Sequence, residues 1–104
     1  MGEYICSMTD ALQINHQTNA EGGRYWAAVN GGDAELTYQR SIDKIIIIDH
    51  TYVPPAARGG SIARELVERA VADARAAGVK IVPQCPYVDK LFNRRPDLNE
   101  VRAR

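Results

Sequence analysis

Polar and apolar positions alternate along the first half of the chain and take a helical period in the second. Leu12, Ile14 and His16 alternate with Gln13, Asn15 and Gln17, which predicts a half-buried strand. The cluster Asn19, Ala20, Glu21, Gly22, Gly23 predicts a turn. A second strand is expected over 24–29, carrying Tyr25, Trp26 and Val29. Asn30, Gly31, Gly32 and Asp33 follow as a hairpin turn, because an Asn-Gly pair supplies the positive φ angles of tight hairpins. Alternation returns over 34–40, so this strand lies antiparallel beside the second.

The stretch 44–53 has a different pattern. Four successive isoleucines, Ile45 to Ile48, cannot share one face of a strand. This strand is therefore predicted to be central and covered above and below. Its end turns polar at Asp49, His50 and Thr51, so it is expected to emerge at a site or at the surface. Beyond it, Ile62, Leu66, Ala70 and Ala74, with Ala63, Val67 and Val71 beside them, form one apolar helical stripe. Arg64, Glu65, Glu68, Arg69, Asp73 and Arg75 form the other face, with Glu65–Arg69 as a favourable i,i+4 pair. Gly78 ends the helix. A short strand over 79–82 is limited by Pro83, and the strand–helix–strand passage predicts a parallel pair. Val88, Leu91 and Phe92 give a second short helix over 87–94, ended by Pro96. Residues 1–9 carry no pattern and are expected to be a loose terminus; 97–104 is expected to be a mobile polar tail. The order gives an α+β fold. Three antiparallel strands, a central strand and a parallel last strand make a mixed five-stranded sheet with one main helix and a short C-terminal helix.

Composition narrows the function classes. The 104 residues suit one domain over 1–104. Thirteen basic residues balance thirteen acidic ones, so no bulk affinity for nucleic acid is expected. The longest apolar run is strand-sized, far below the roughly 20 residues of a membrane helix, and no basic segment followed by an apolar run opens the chain. Neither a membrane partner nor a secretory leader is expected. Cys6 and Cys85 have no metal-ligand spacing, so no metal is expected. Two thiols in a reducing cytoplasm are the expected state, with one disulfide as the open alternative. Tyr25 and Trp26 fit either a self-associating surface or the packed face of the sheet, leaving a monomer or a weak dimer.

The richest chemistry lies over 51–63, where a glycine-rich turn feeds a helix N-terminus. Arg58, Gly59, Gly60, Ser61, Ile62 and Ala63 present several backbone N–H donors and one cation, a cradle for an anion such as phosphate. Neither the P-loop spacing nor the dinucleotide fingerprint is present. Ser61 serves as helix N-cap or as a phosphate donor; an ordinary glycine-rich loop with a capped helix is the alternative. Cys85, held between Pro83 and Pro86, is either a reactive thiol or a small buried hydrophobe. His50 is either a proton-transfer group or a hydrogen-bonded structural residue. Arg94, Arg95, Arg102 and Arg104 either reach a ligand phosphate or belong to a solvated tail.

Taken together, His50-Thr51-Tyr52-Val53-Pro54, Arg58-Gly59-Gly60-Ser61-Ile62-Ala63 and Pro83-Gln84-Cys85-Pro86-Tyr87-Val88 resemble the small GNAT-like N-acetyltransferases. These are the YjdJ-type group of the Gcn5-related acetyltransferase superfamily. The resemblance covers roughly residues 12–96. Arg58, Ser61 and Ala63 occupy the named places of the superfamily signature Arg/Gln-x-x-Gly-x-Gly/Ala, with Ser61 in place of its first glycine.

The resemblance implies an acetyl-CoA-dependent N-acetyltransferase acting on an unidentified amine, on a protein or elsewhere. Backbone N–H groups of Gly59, Gly60, Ser61, Ile62, Ala63 and Arg64 would hold the coenzyme A pyrophosphate, beside Arg58. The pantetheine arm would lie along His50, Thr51, Tyr52 and Val53, pairing as an added strand. An N–H of Tyr52 or Val53 would polarise the thioester carbonyl. Cys85 would protonate the leaving coenzyme A thiolate or take the acetyl group itself, with His50 as the second candidate catalytic residue. No helices wall the acceptor side and no final hairpin follows Tyr87, so an open acceptor site is expected. The alternative is a coenzyme A or acyl-CoA binding module with little or no catalysis. A third possibility is a small interaction domain whose glycine turn binds nothing.

Overall fold

The computed structural model describes residues 12–103. The expected loose segment 1–9, with Cys6, lies outside the described residues, as does Arg104. Five strands form one sheet in chain order: β1 (Asn15–Thr18), β2 (Gly22–Val29), β3 (Gly32–Arg40), β4 (Ile45–Tyr52) and β5 (Lys80–Pro83). β1 to β4 are antiparallel neighbours, and β5 runs parallel to β4. Helix α1 (Ile62–Ala77) carries the chain from β4 to β5, and α2 (Pro86–Arg94) follows. This is the expected mixed α+β sheet.

The turn between β2 and β3 is tighter in its demands than the Asn-Gly pair suggested. Only Gly31 (φ 89°) and Gly32 (φ 139°) take positive φ; Asn30 does not. The β3–β4 joint instead holds Asp43 and Lys44 at φ 56° and 59°, left-handed positions filled without glycine.

The core lies between one sheet face and the two helices. Tyr25, Leu36, Tyr38, Ile46 and Ile48 meet Leu66, Val67, Ala70 and Val71 of α1 and Val88, Leu91 and Phe92 of α2. The stripe read from α1 is the buried one. Its end is set where Val79 N–H reaches back to the Ala74 carbonyl at 2.8 Å, with Gly78 left-handed between them. The predicted Glu65–Arg69 pair does not form: Arg69 bonds Asp73 at 3.1 Å, and Glu65 takes a different partner.

Three further expectations are corrected. The four isoleucines do not mark a strand covered on both faces. Ile46 and Ile48 are buried, whereas Ile45 and Ile47 are half-buried on the opposite face and belong to no core cluster. Tyr25 and Trp26 likewise divide between the faces. Tyr25 is in the core, and Trp26 lies outside it under the Arg24 guanidinium at 4.7 Å. Over its described part, 97–103, the expected tail is not free either. A 3-10 helix, Pro96–Val101, buries Leu98 and Val101, and Ala103 N–H bonds the Ile81 carbonyl at 2.8 Å. The chain end thus covers the outer edge of β5, satisfying backbone groups that an edge strand leaves open.

Candidate functional site

The site begins where β4 and β5 part. β5 pairs with β4 only along Ile45 to Ile48. The N–H groups of Gln84 and Cys85 both converge on the Ile48 carbonyl, at 3.1 and 2.9 Å, and turn the chain away. Beyond Ile48, β4 runs on to Tyr52 with β3 on one side and no strand on the other among the described residues. That leaves a stretch of backbone edge able to pair with a ligand.

A bulge shapes this stretch. Thr37 faces His50 and Tyr38 faces Ile48, so Asp49 is an extra residue on β4. The Asp49 carboxylate accepts from Thr37 Oγ1 at 2.7 Å and from Gln39 Nε2 at 2.8 Å. His50 lies 3.5 Å from the Glu35 carboxylate, which also accepts from Arg24 at 2.7 Å. Asp49 and His50 therefore share the face away from the helices. The next residue, Thr51, turns toward α2.

A cleft of about 370 Å³ opens beside this edge. It is lined by Thr51, Tyr52 and Val53 from the end of β4, by Ala57 to Gly60 from the turn, by Ile62 and Ala63 from α1, and by Tyr87 from α2. The expected stretch and the expected turn thus share one cavity. Tyr87 and Ala57 were missed; the nearest signal for Tyr87 was its place two residues after Cys85.

The turn itself has open space over its backbone. Gly59 requires its left-handed φ of 94°. Gly60 has no positive φ, and a Cβ built there would meet nothing within 4 Å. Neither strain nor crowding within the chain calls for glycine at Gly60. A ligand approaching the backbone would. Arg58 lies across this region, donating from Nε to the Val53 carbonyl at 2.7 Å, its guanidinium 5.6 Å from the Tyr52 ring. Ser61 occupies the N-cap place of α1 without making a cap hydrogen bond; its hydroxyl donates to Glu65 Oε2 at 2.6 Å.

Cys85 sits at the N-cap of α2, 7% exposed, with its sulfur 3.5 Å from Thr51 Oγ1. Burial pushes the thiol up, but the Thr51 hydroxyl and the backbone amides of Val88, Tyr87 and Thr51 outweigh it and hold the thiol below its ordinary range. The helix amides act on the sulfur electrostatically without completing a cap hydrogen bond. The result is a buried sulfur surrounded by donors, next to a residue that lines the cleft.

Four side chains stand apart. His50 is on the sheet's other face, its side chain 52% exposed, and does not line the cleft. Arg64 lies 3.8 Å from Glu68. Arg95 binds Asp97 and Glu68, and Arg102 binds Asp89 and Asn93, so neither guanidinium is free for a ligand phosphate. Among the described residues no group of three His, Cys, Asp or Glu side chains could hold a metal ion, and no helix is long and apolar enough to cross a membrane.

The sequence profile of a family described as GCN5-related N-acetyl-transferase matches residues 24–101. The solution structure of a GCN5-like protein from Staphylococcus aureus superposes with a TM-score of 0.65 at 23% identity, over 90% of each chain. No curated protein matches the chain in sequence.

Proposed function

The chain belongs to the GCN5-related N-acetyltransferase family, and we propose that it moves an acetyl group from acetyl-CoA to an amine. The observation that carries this reading is the single cleft joining the unpaired end of β4 to the open turn at Gly59 and Gly60. An extended arm with amide groups suits the first part, and a pyrophosphate suits the second. Arg58 supplies the cation at the mouth. Its Nε is engaged by the Val53 carbonyl, which leaves the two terminal nitrogens of the guanidinium to meet a phosphate.

Thr51, with the Cys85 sulfur behind it, marks the reacting end of the cleft. Donors directed at the Cys85 sulfur favour thiolate over thiol. They argue against a proton donor and for a nucleophile. In that role the thiolate attacks the thioester carbon, the bond to the coenzyme A sulfur breaks, and coenzyme A leaves as thiolate. The amine nitrogen then attacks the acyl-cysteine, the carbon–sulfur bond breaks, and the amine gives up its proton to solvent. His50 takes no part in these steps, because it lies on the other sheet face.

Binding without turnover is the second reading, favoured by the engagement of Ser61 with Glu65 at the expected phosphate position. Calorimetric titration with acetyl-CoA and coenzyme A tests the cleft. Saturable one-to-one binding is expected, and no heat at millimolar ligand would refute both readings. Release of free thiol that requires both an amine and Cys85 then separates transfer from binding.

A further inference from the structure

The turn that would hold the pyrophosphate already faces a carboxylate of the chain. Glu65 stands in the first turn of α1, its backbone N–H bonded to the Ser61 carbonyl at 2.9 Å. Its side chain folds back so that Oε2 accepts the Ser61 hydroxyl at 2.6 Å. The bond has two consequences. The hydroxyl proton is committed, so toward a ligand the Ser61 oxygen presents lone pairs rather than a donor. The negative charge is held close to the helix N-terminus, where it interacts favourably with the amides that a phosphate would use.

Among the described residues no basic side chain is bonded to the Glu65 carboxylate. Arg69, one turn on, is bonded to Asp73. Arg64 lies beside Glu68. Arg58 keeps its charge but gives its Nε to the neutral Val53 carbonyl rather than to Glu65. Glu65, anchored by Ser61 at the start of α1 and just outside the lining of the cleft, therefore stands beside the ligand's donors as a competing anion.

We propose that Glu65 is a specificity-determining residue that weakens the hold of the turn on a diphosphate, with Ser61 fixing its carboxylate in place. This rests on the reading of the turn as a pyrophosphate cradle. Coenzyme A would then be held by its arm along β4 more than by its charge, and it would exchange readily.

The test is calorimetric titration of coenzyme A into the wild-type chain, Glu65→Gln, Ser61→Gly and Glu68→Gln. Glu65→Gln keeps the shape and the acceptor for Ser61 while removing the charge. It is expected to tighten coenzyme A about tenfold, the effect of removing one nearby like charge at a partly exposed site. Ser61→Gly frees the carboxylate and is expected to tighten it by a smaller factor. Glu68→Gln makes the same change in net charge one turn on and is expected to move affinity by less than about twofold.

If wild type binds and Glu65→Gln binds equally or more weakly, the proposal is overturned and the cradle stands. Equal tightening by Glu65→Gln and Glu68→Gln would assign the effect to overall charge and also overturn it. If neither wild type nor Glu65→Gln binds at millimolar coenzyme A, the cradle reading fails and the proposal falls with it. Binding by Glu65→Gln alone would support both.

Discussion

The Thr51 hydroxyl lies 3.5 Å from the Cys85 sulfur, joining the free end of β4 to the first turn of α2. It is the main donor that holds the thiol down against the opposing effect of burial. Thr51→Val keeps the shape and removes that donor, so the Cys85 thiol should titrate at higher pH. The pH dependence of iodoacetamide alkylation, followed on the peptide containing Cys85, should shift upward; an unmoved profile would take Thr51 out of thiol activation. Cys85→Ala should leave coenzyme A affinity within about twofold and lower any acetyl transfer on the order of a hundredfold. An unchanged rate would remove Cys85 from the mechanism.

Arg58 is bonded to an exposed carbonyl, and water can replace it there. Arg58→Ala should therefore cost less than about 1 kcal/mol of stability in urea unfolding. It should weaken coenzyme A by about tenfold, the usual worth of one charge-assisted contact to phosphate. Comparable losses in both measurements would make Arg58 a structural residue.

What was legible in the sequence follows from where the periodic signal is strong. Leu66, Val67, Ala70, Val71 and Ala74 repeat often enough to fix both α1 and its buried face. Alternation through Ala34, Leu36 and Tyr38 does the same for β3. The turn at Gly59 and Gly60 was legible as an open turn because adjacent glycines leave space over the backbone. The bulge was not. One inserted residue, Asp49, reverses the facing of everything after it, and no glycine or proline marks the place. Hence His50 was read as a candidate catalytic and coenzyme A-binding residue and is found on the far face. The Ser61–Glu65 bond was hidden for another reason. Glu65 had an equally good i,i+4 partner in Arg69, and only the structure shows Arg69 committed to Asp73.

The chain end gives a prediction from the same cause. Leu98 and Val101 are the two large apolar side chains in a polar stretch, too few to show a period, yet both are buried against the core. Leu98→Ala should lower the unfolding free energy by about 2–5 kcal/mol. Urea denaturation would measure it, and a change below about 0.5 kcal/mol would mean the segment does not dock in solution.

The opposite end of the sheet should respond to acid. His16 Nε2 lies 2.8 Å from the Tyr38 hydroxyl, and its ring stacks on Tyr25 at 4.0 Å. Tyr25 O–H in turn donates to Asp73 at 2.7 Å. Desolvation holds the His16 pKa below 6.5; Asp73 opposes this, and Arg69 and Arg40 reinforce it. The folded state then binds the proton less readily than the unfolded chain. His16 contributes stability that is complete above its unfolded pKa and is lost as pH falls through 6.5 toward the folded value. Unfolding in urea at about pH 7.5 and about pH 5.5 would read this directly. His16→Gln should lose less stability between the two than wild type does, because glutamine takes up no proton. An equal loss in both chains would show that the acid response of this network lies elsewhere than in His16.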